Sequence, residues 1–172
     1  MRHVISVLMQ NEVGALTRLT GMFSSRGYNI ESLNVAPTDD PTISRLTVVS
    51  SGSDAVIAQI VSQMGKLVDV VNIHDMTLGE HFERELLLLK VRVPTGGYES
   101  LARLVHDAGA RVLDDSQTSF TLELTATVRE VQAFMAAAAN LGRITGVVRS
   151  GALAMGRGEQ VLAPESDLQD TA

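Results

Sequence analysis

The sequence predicts an α+β protein built from two βαββαβ units in tandem. Three observations carry this expectation. The apolar pattern switches between the two-residue period of strands and the 3.6-residue period of helices in the order strand, helix, strand, strand, helix, strand. That order occurs twice in 172 residues. Turn-forming or polar segments separate the pieces. A unit of this order closes as an antiparallel sheet with two helices on one face, the ferredoxin-like split βαβ arrangement.

In the first unit, residues 2–9 form a β-branched apolar run that stops at Gln10-Asn11-Glu12. Leu16, Leu19, Met22 and Phe23 then recur at helical spacing, and Gly27 stands where a helix C-terminal glycine belongs. Residues 28–36 read as extended, residues 37–41 (PTDDP) as a turn, and residues 43–50 as the hairpin partner. Ser53 can cap a helix with Ile57, Ile60, Val61 and Met64 inside, and residues 67–73 close the unit with a strand.

The second unit repeats the order. Residues 86–93 form a strand, and Leu101, Leu104, Val105 and Ala108 mark a helix ending at Gly109. Residues 111–113 and 120–124 flank a turn at 114–117, Thr127 and Glu130 form a capping box, and residues 143–149 are the last strand. The expected divisions are a first domain over 1–77, a polar linker over 78–84, a second domain over 85–158, and an acidic tail over 159–172 expected to be disordered. Four strands with helices on one face leave an open face or edge, so the first unit is expected to form a homodimer. Its first helix and second strand then lie at the junction.

Composition narrows the function classes. A hydrophobic content of 45% with 3% aromatics implies an aliphatic core. No run reaches the length of a membrane span, and the N-terminal stretch turns polar too early for a signal peptide, so a cytoplasmic location is expected. The absence of cysteine excludes disulfides, thiolate metal sites and Cys nucleophiles. A formal net charge of −6 argues against nucleic acid, whose binding needs Lys and Arg to neutralise phosphates.

Catalytic constellations are missing as well. His3, His74, His81 and His106 show no metal-ligand spacing, and the Glu80–Glu85 stretch reads as solvated linker. Asp39-Asp40 is turn chemistry. No G-x-S-x-G elbow or G-x-x-x-x-G-K-[ST] loop occurs, and Gly14, Gly21 and Gly27 do not fit G-x-G-x-x-G.

Gly14 ends a strand and begins a helix. A missing side chain there lets an anion approach the free amides and positive end of the helix, or serves only a tight turn. Asn11 can cap the helix or meet a ligand at the same end with both donor and acceptor. Asn29 lies beside the expected dimer junction, where it can stabilise a turn.

The segments Asn11 with Gly14-Ala15-Leu16, Arg26-Gly27-Tyr28-Asn29-Ile30-Glu31-Ser32-Leu33, Ala36-Pro37-Thr38-Asp39-Asp40-Pro41 and Ser44-Arg45 resemble the small, regulatory subunits of acetolactate synthase (acetohydroxyacid synthase). The likeness continues through Lys66–Val70, Glu83–Leu86 and Arg149–Gly151, and covers residues 1–158. The first unit resembles an ACT domain, with Asn11-Glu12-Val13-Gly14-Ala15-Leu16 in place of the usual D-x-P-G-x-L. The second is then an ACT-like domain.

The resemblance implies a chain without an active site or cofactor of its own, which binds a catalytic large subunit using thiamine diphosphate, Mg²⁺ and often FAD. It implies activation of that partner and feedback inhibition by valine, sometimes leucine or isoleucine, bound at the ACT dimer interface. The implied effector residues are Asn11, Gly14, Ala15 and Leu16 of one chain with Asn29 and Ile30 of the other. A free-standing ACT-domain amino-acid sensor with a different partner is the alternative. An acylphosphatase-like enzyme needs an Arg that residues 10–17 lack, and an RNA-binding module needs aromatics that residues 43–50 lack.

Overall fold

The structure is a computed structural model that describes residues 1–116, 118–158 and 162–163. The chain divides into two compact units, residues 1–82 with the described residues from 152 onward, and the described residues of 83–151.

The first unit runs β1 (Arg2–Gln10), α1 (Ala15–Ser25), β2 (Ser32–Pro37), β3 (Ile43–Ser51), α2 (Asp54–Met64) and β4 (Val70–Asp75), followed by a 3₁₀ turn over Met76–Leu78. The sheet order is β2-β3-β1-β4, all antiparallel, with β1 in register from Arg2 opposite Ser51 to Gln10 opposite Ile43. Ile5, Val7 and Met9 of β1 face the helices, where they pack with Leu46, Val48, Leu19, Phe23, Ile57, Ile60 and Met64. Ser53 caps α2 as expected, accepting from the Val56 amide.

The C-terminus of α1 is a Schellman motif. Gly27 at φ 69° donates to Ser24 O at 3.2 Å, and Tyr28 donates to Phe23 O at 3.0 Å. Phe23 and Tyr28 add the accompanying apolar contact, ring edge to ring face at 6.3 Å. Residues 28–31 are therefore occupied in turning the chain, and β2 begins only at Ser32.

The inner face of α1 differs from expectation by one residue. Ala15, Leu19, Met22 and Phe23 are buried, and Leu16 is 40% exposed. The series 15, 19, 22, 23 also has helical spacing, and the sheet takes the stripe that starts at the small residue closest to β1.

Val4, Ser6 and Leu8, on the other face of β1, are buried too. The same chain returns to cover part of this face. Ala152 N–H donates to Ser32 Oγ, Arg45 Nη2 to Leu162 O at 2.7 Å, and Asn72 Nδ2 to Ala163 O at 2.7 Å. The strand β9 (Leu153–Gly156) belongs to this unit, and Arg157 N–H donates to Glu80 O beside it. The outer edge of β2 has no strand neighbour among the described residues.

The second unit contains β5 (His81–Arg92), α3 (Tyr98–Ala108), β6 (Arg111–Ser116), β7 (Ser119–Ala126), α4 (Val128–Leu141) and β8 (Arg143–Arg149), in the sheet order β6-β7-β5-β8. Residues 81–84 are thus strand rather than polar linker, and residues 152–156 cluster with the first unit rather than the second. Asp114, Asp115 and Ser116, expected in a turn, continue β6 past a register shift after Val112, and Gln117 lies outside the described residues. Of the expected tail, residues 159–161 and 164–172 also lie outside them.

Leu87, Leu89, Val91, Leu122, Val131 and Phe134 form the core of this unit. The capping box is present: Glu130 Oε2 accepts from the Thr127 amide at 2.8 Å, and Thr127 Oγ1 accepts from the Glu130 amide. Glu85, 2% exposed, accepts both Nε and Nη2 of Arg149, which joins β5 to β8.

Candidate functional site

The site grows from the way β1 ends. Gln10 N–H donates to Asp69 O at 2.8 Å, and Asn11 N–H donates to Thr42 O at 2.7 Å, so the strand is held on both sides up to its last residue. The chain then turns through Glu12 and Val13 into Gly14, the N-cap of α1, whose φ of 89° lies in the left-handed region. A side chain here would be strained, and an added Cβ would stand 3.0 Å from Arg18 Nη1.

No side chain caps α1. Ala15 N–H reaches Glu12 O at 3.2 Å, and Arg18 N–H is the first to close a helical bond, on Gly14 O at 2.9 Å. The amides of Leu16 and Thr17 lie between these two and have no backbone acceptor among the described residues. They point out of the positive end of the helix, which suits a carboxylate. The buried Ala15 contributes backbone only, whereas Leu16 and the fully exposed Val13 present apolar surface to solvent beside these amides.

Asn11 does not cap the helix. Its Nδ2 donates to Pro41 O at 2.9 Å, which ties the β1–α1 turn to the β2–β3 turn and leaves Oδ1 as an acceptor. Asp40 is consumed within the latter turn, accepting Thr42 N–H at 2.8 Å and Thr42 Oγ1 at 2.7 Å, and these bonds hold its carboxyl below the usual range. Among the described residues no group of three or more His, Cys, Asp or Glu side chains could hold a metal ion.

Arg18 and Asp69 belong to the same site and carry no sequence signal that pairs them, being 51 positions apart. Arg18 donates Nε and Nη2 to the two Asp69 oxygens at 2.6 and 2.7 Å. The Asp69 side chain is 3% exposed, and the bonds from Arg18 hold its carboxyl below the ordinary carboxylate range against the opposing effect of burial. A pinned guanidinium therefore stands beside Gly14.

Asn29 and Ile30 lie elsewhere. They follow the far end of α1, about 16 Å along the helix from its start at 1.5 Å per residue. Asn29 is exposed, with its carbonyl accepting Ser50 Oγ at 2.8 Å, and Ile30 packs half-buried against the core. Within one chain Asn11, Gly14, Ala15 and Leu16 converge on one turn, and Asn29 and Ile30 do not join them.

The chain is similar to known proteins over most of its length. Residues 5–72 match the family model described as AHAS small subunit-like ACT domain, and residues 84–158 match the model described as small subunit of acetolactate synthase. The chain is 42% identical over 162 residues to the acetolactate synthase isozyme 3 small subunit of Salmonella typhimurium, covering 94% of this chain and 99% of that one. It belongs to the acetolactate synthase small-subunit family.

A probable member from Archaeoglobus fulgidus is 37% identical over 160 residues, covering 93% and 99% of the two chains. The crystal structure of the acetolactate synthase small subunit from Thermotoga maritima superposes with a TM-score of 0.83 at 29% identity, covering 93% of this chain and 99% of that one. The two chains thus share the tandem architecture. Among the described residues no helix is long and apolar enough to cross a membrane.

Proposed function

We propose that this chain is the regulatory subunit of acetolactate synthase in branched-chain amino acid biosynthesis, and that two copies of its ACT domain bind valine between them. The carrying observation is the α1 N-terminus, where the free amides of Leu16 and Thr17 stand beside Asn11 while Asn29 and Ile30 lie a helix length away. In this reading the effector's carboxylate takes the amides at the start of α1. Its ammonium donates to the carboxamide oxygens of Asn11 and of Asn29 from the second copy. Ile30 of that copy and Leu16 line the side-chain pocket.

The exposed edge of β2 is the surface through which two ACT sheets would join, since an unpaired strand edge needs either cover or a partner. A pocket that separates valine from isoleucine by one methylene discriminates by about 1–3 kcal/mol, so some response to both is expected. Valine stabilises one arrangement of the dimer, and inhibition follows if that arrangement supports the large subunit less well, by a coupling of about 1–3 kcal/mol. Thiamine diphosphate, Mg²⁺ and FAD belong to the catalytic partner in this reading, whose cytoplasmic holoenzyme would carry out the chemistry.

Reconstitution with the large subunit from the same genome tests the proposal. Acetolactate formation should rise when this chain is added and fall again with valine. Calorimetry on the chain alone should show valine binding that Asn29→Ala and Gly14→Asp both remove. Valine binding without any effect on acetolactate formation would instead identify a free-standing ACT sensor. Binding retained by both variants would sink the site assignment.

A further inference from the structure

The sheet of the first unit has a concave feature on the face opposite its two helices. A cavity of 320 Å³ lies there, lined by Arg45, Asn72, Ile73, His74, Met76, Gly156 and Leu162. Leu8 and Arg45 face each other across β1 and β3, and Leu8 and Asn72 across β1 and β4, so Arg45 and Asn72 share this face. They act together on the returning chain, donating to the consecutive carbonyls of Leu162 and Ala163 at 2.7 Å each.

The charge of Arg45 is left uncompensated by these bonds. Its guanidinium offers five N–H donors and spends two, on Leu162 O and, at 3.4 Å, on Ser6 Oγ. Both acceptors are neutral. No carboxylate of the described residues pairs with it, and burial alone pulls its pKa down. A half-buried cation without a counter-charge is costly, and a guanidinium matches a carboxylate in shape as well as charge. Met76 and Leu162 supply apolar walls, and Asn72 and His74 supply further polar groups, the usual makeup of a small-ligand pocket.

We propose that this cavity is a carboxylate-binding site with Arg45 as its cation. Its ligand is the carboxylate of a free small molecule. The site lies on the opposite face of the sheet from the helices and uses none of the proposed effector residues.

Succinate is a suitable probe, with binding to the full-length protein read by calorimetry and by the Arg45 side-chain NMR signal, assigned from its loss in Arg45→Lys. The second protein is the full-length triple variant Glu165→Gln, Asp167→Asn, Asp170→Asn. Equal binding by both proteins supports the site with a free carboxylate as ligand. Binding by the triple variant only also supports it, with the acidic residues of the C-terminal sequence as competitors. In whichever protein binds, Arg45→Gln should lower affinity about tenfold or more, and Arg45→Lys, which keeps the charge, should lose less. A Gln variant that lost its circular dichroism would leave the Lys variant and the triple variant to decide. No binding by either protein, or binding unchanged by Arg45→Gln, overturns the proposal. Valine binding is measured in parallel and is expected to persist in all variants, so this outcome stays separate from that of the effector site.

Discussion

Arg18 grips both carboxylate oxygens of Asp69, at 2.6 and 2.7 Å, and its remaining nitrogen stands 3.0 Å from where a side chain on Gly14 would begin. The glycine that opens α1 is therefore required twice over, by its backbone conformation and by the arginine above it.

Gly14→Ala should lower stability by roughly 1–3 kcal/mol, the cost of holding a non-glycine residue in the left-handed region with a neighbour to displace. Chemical denaturation of the two proteins measures this. A loss under a few tenths of a kcal/mol would mean that the turn relaxes freely.

The Arg18–Asp69 pair makes stability sensitive to acid. The folded pKa of Asp69 is depressed, so its contribution is present above the unfolded value, near 3.9, and is lost as pH falls towards the folded one. Below about pH 4 the wild type should lose stability more steeply than Asp69→Asn, and near pH 7 it should be the more stable of the two. Melting curves across that range that run parallel would show that the pair contributes nothing.

In the second unit, Glu85→Ala leaves the Arg149 guanidinium without its bidentate partner between β5 and β8. A cost of roughly 1–3 kcal/mol is expected. It stays below that of a fully enclosed pair because the Arg149 side chain is 35% exposed and keeps some solvation. Urea unfolding followed by a probe in this unit reads it.

Gly142 joins α4 to β8 with an extended φ of −171°, which any residue can adopt, yet its hydrogen faces backbone. An added Cβ would collide with the Arg92 carbonyl oxygen and lie 2.9 Å from Val93 Cγ1. Gly142→Ala must push these strands apart and should cost about 1–3 kcal/mol, whereas an alanine at Gly79, which meets nothing within 4 Å, should be nearly neutral. Equal melting temperatures for the two variants would contradict this.

A shared effector site has a further signature. Asn11→Ala and Asn29→Ala should each abolish valine binding in their own homodimers. Mixing and reassociating the two variants should restore one intact site per mixed dimer, because one chain keeps Asn11 and the other keeps Asn29. Calorimetry that recovers no binding in the mixture would place both residues in one chain's site.

Much of the fold was legible in the residues themselves. The period changes, the glycines at 27 and 109, the Ser53 cap and the Thr127–Glu130 box all lie where the elements begin and end, since these signals act within a few residues. The turn residues Asn11 to Leu16 were legible for the same reason.

Tertiary packing decided the rest. It chose Ala15 over Leu16 for the core, because two stripes of helical spacing start one residue apart and only the sheet tells them apart. It brought Arg18 to Asp69 and Arg45 to Leu162 across 51 and 117 positions, contacts that no local pattern encodes. It also set Asn29 a helix length from Asn11. Local periodicity and capping determined what each segment of this protein is, and the burial of one apolar face against another determined which side chains meet.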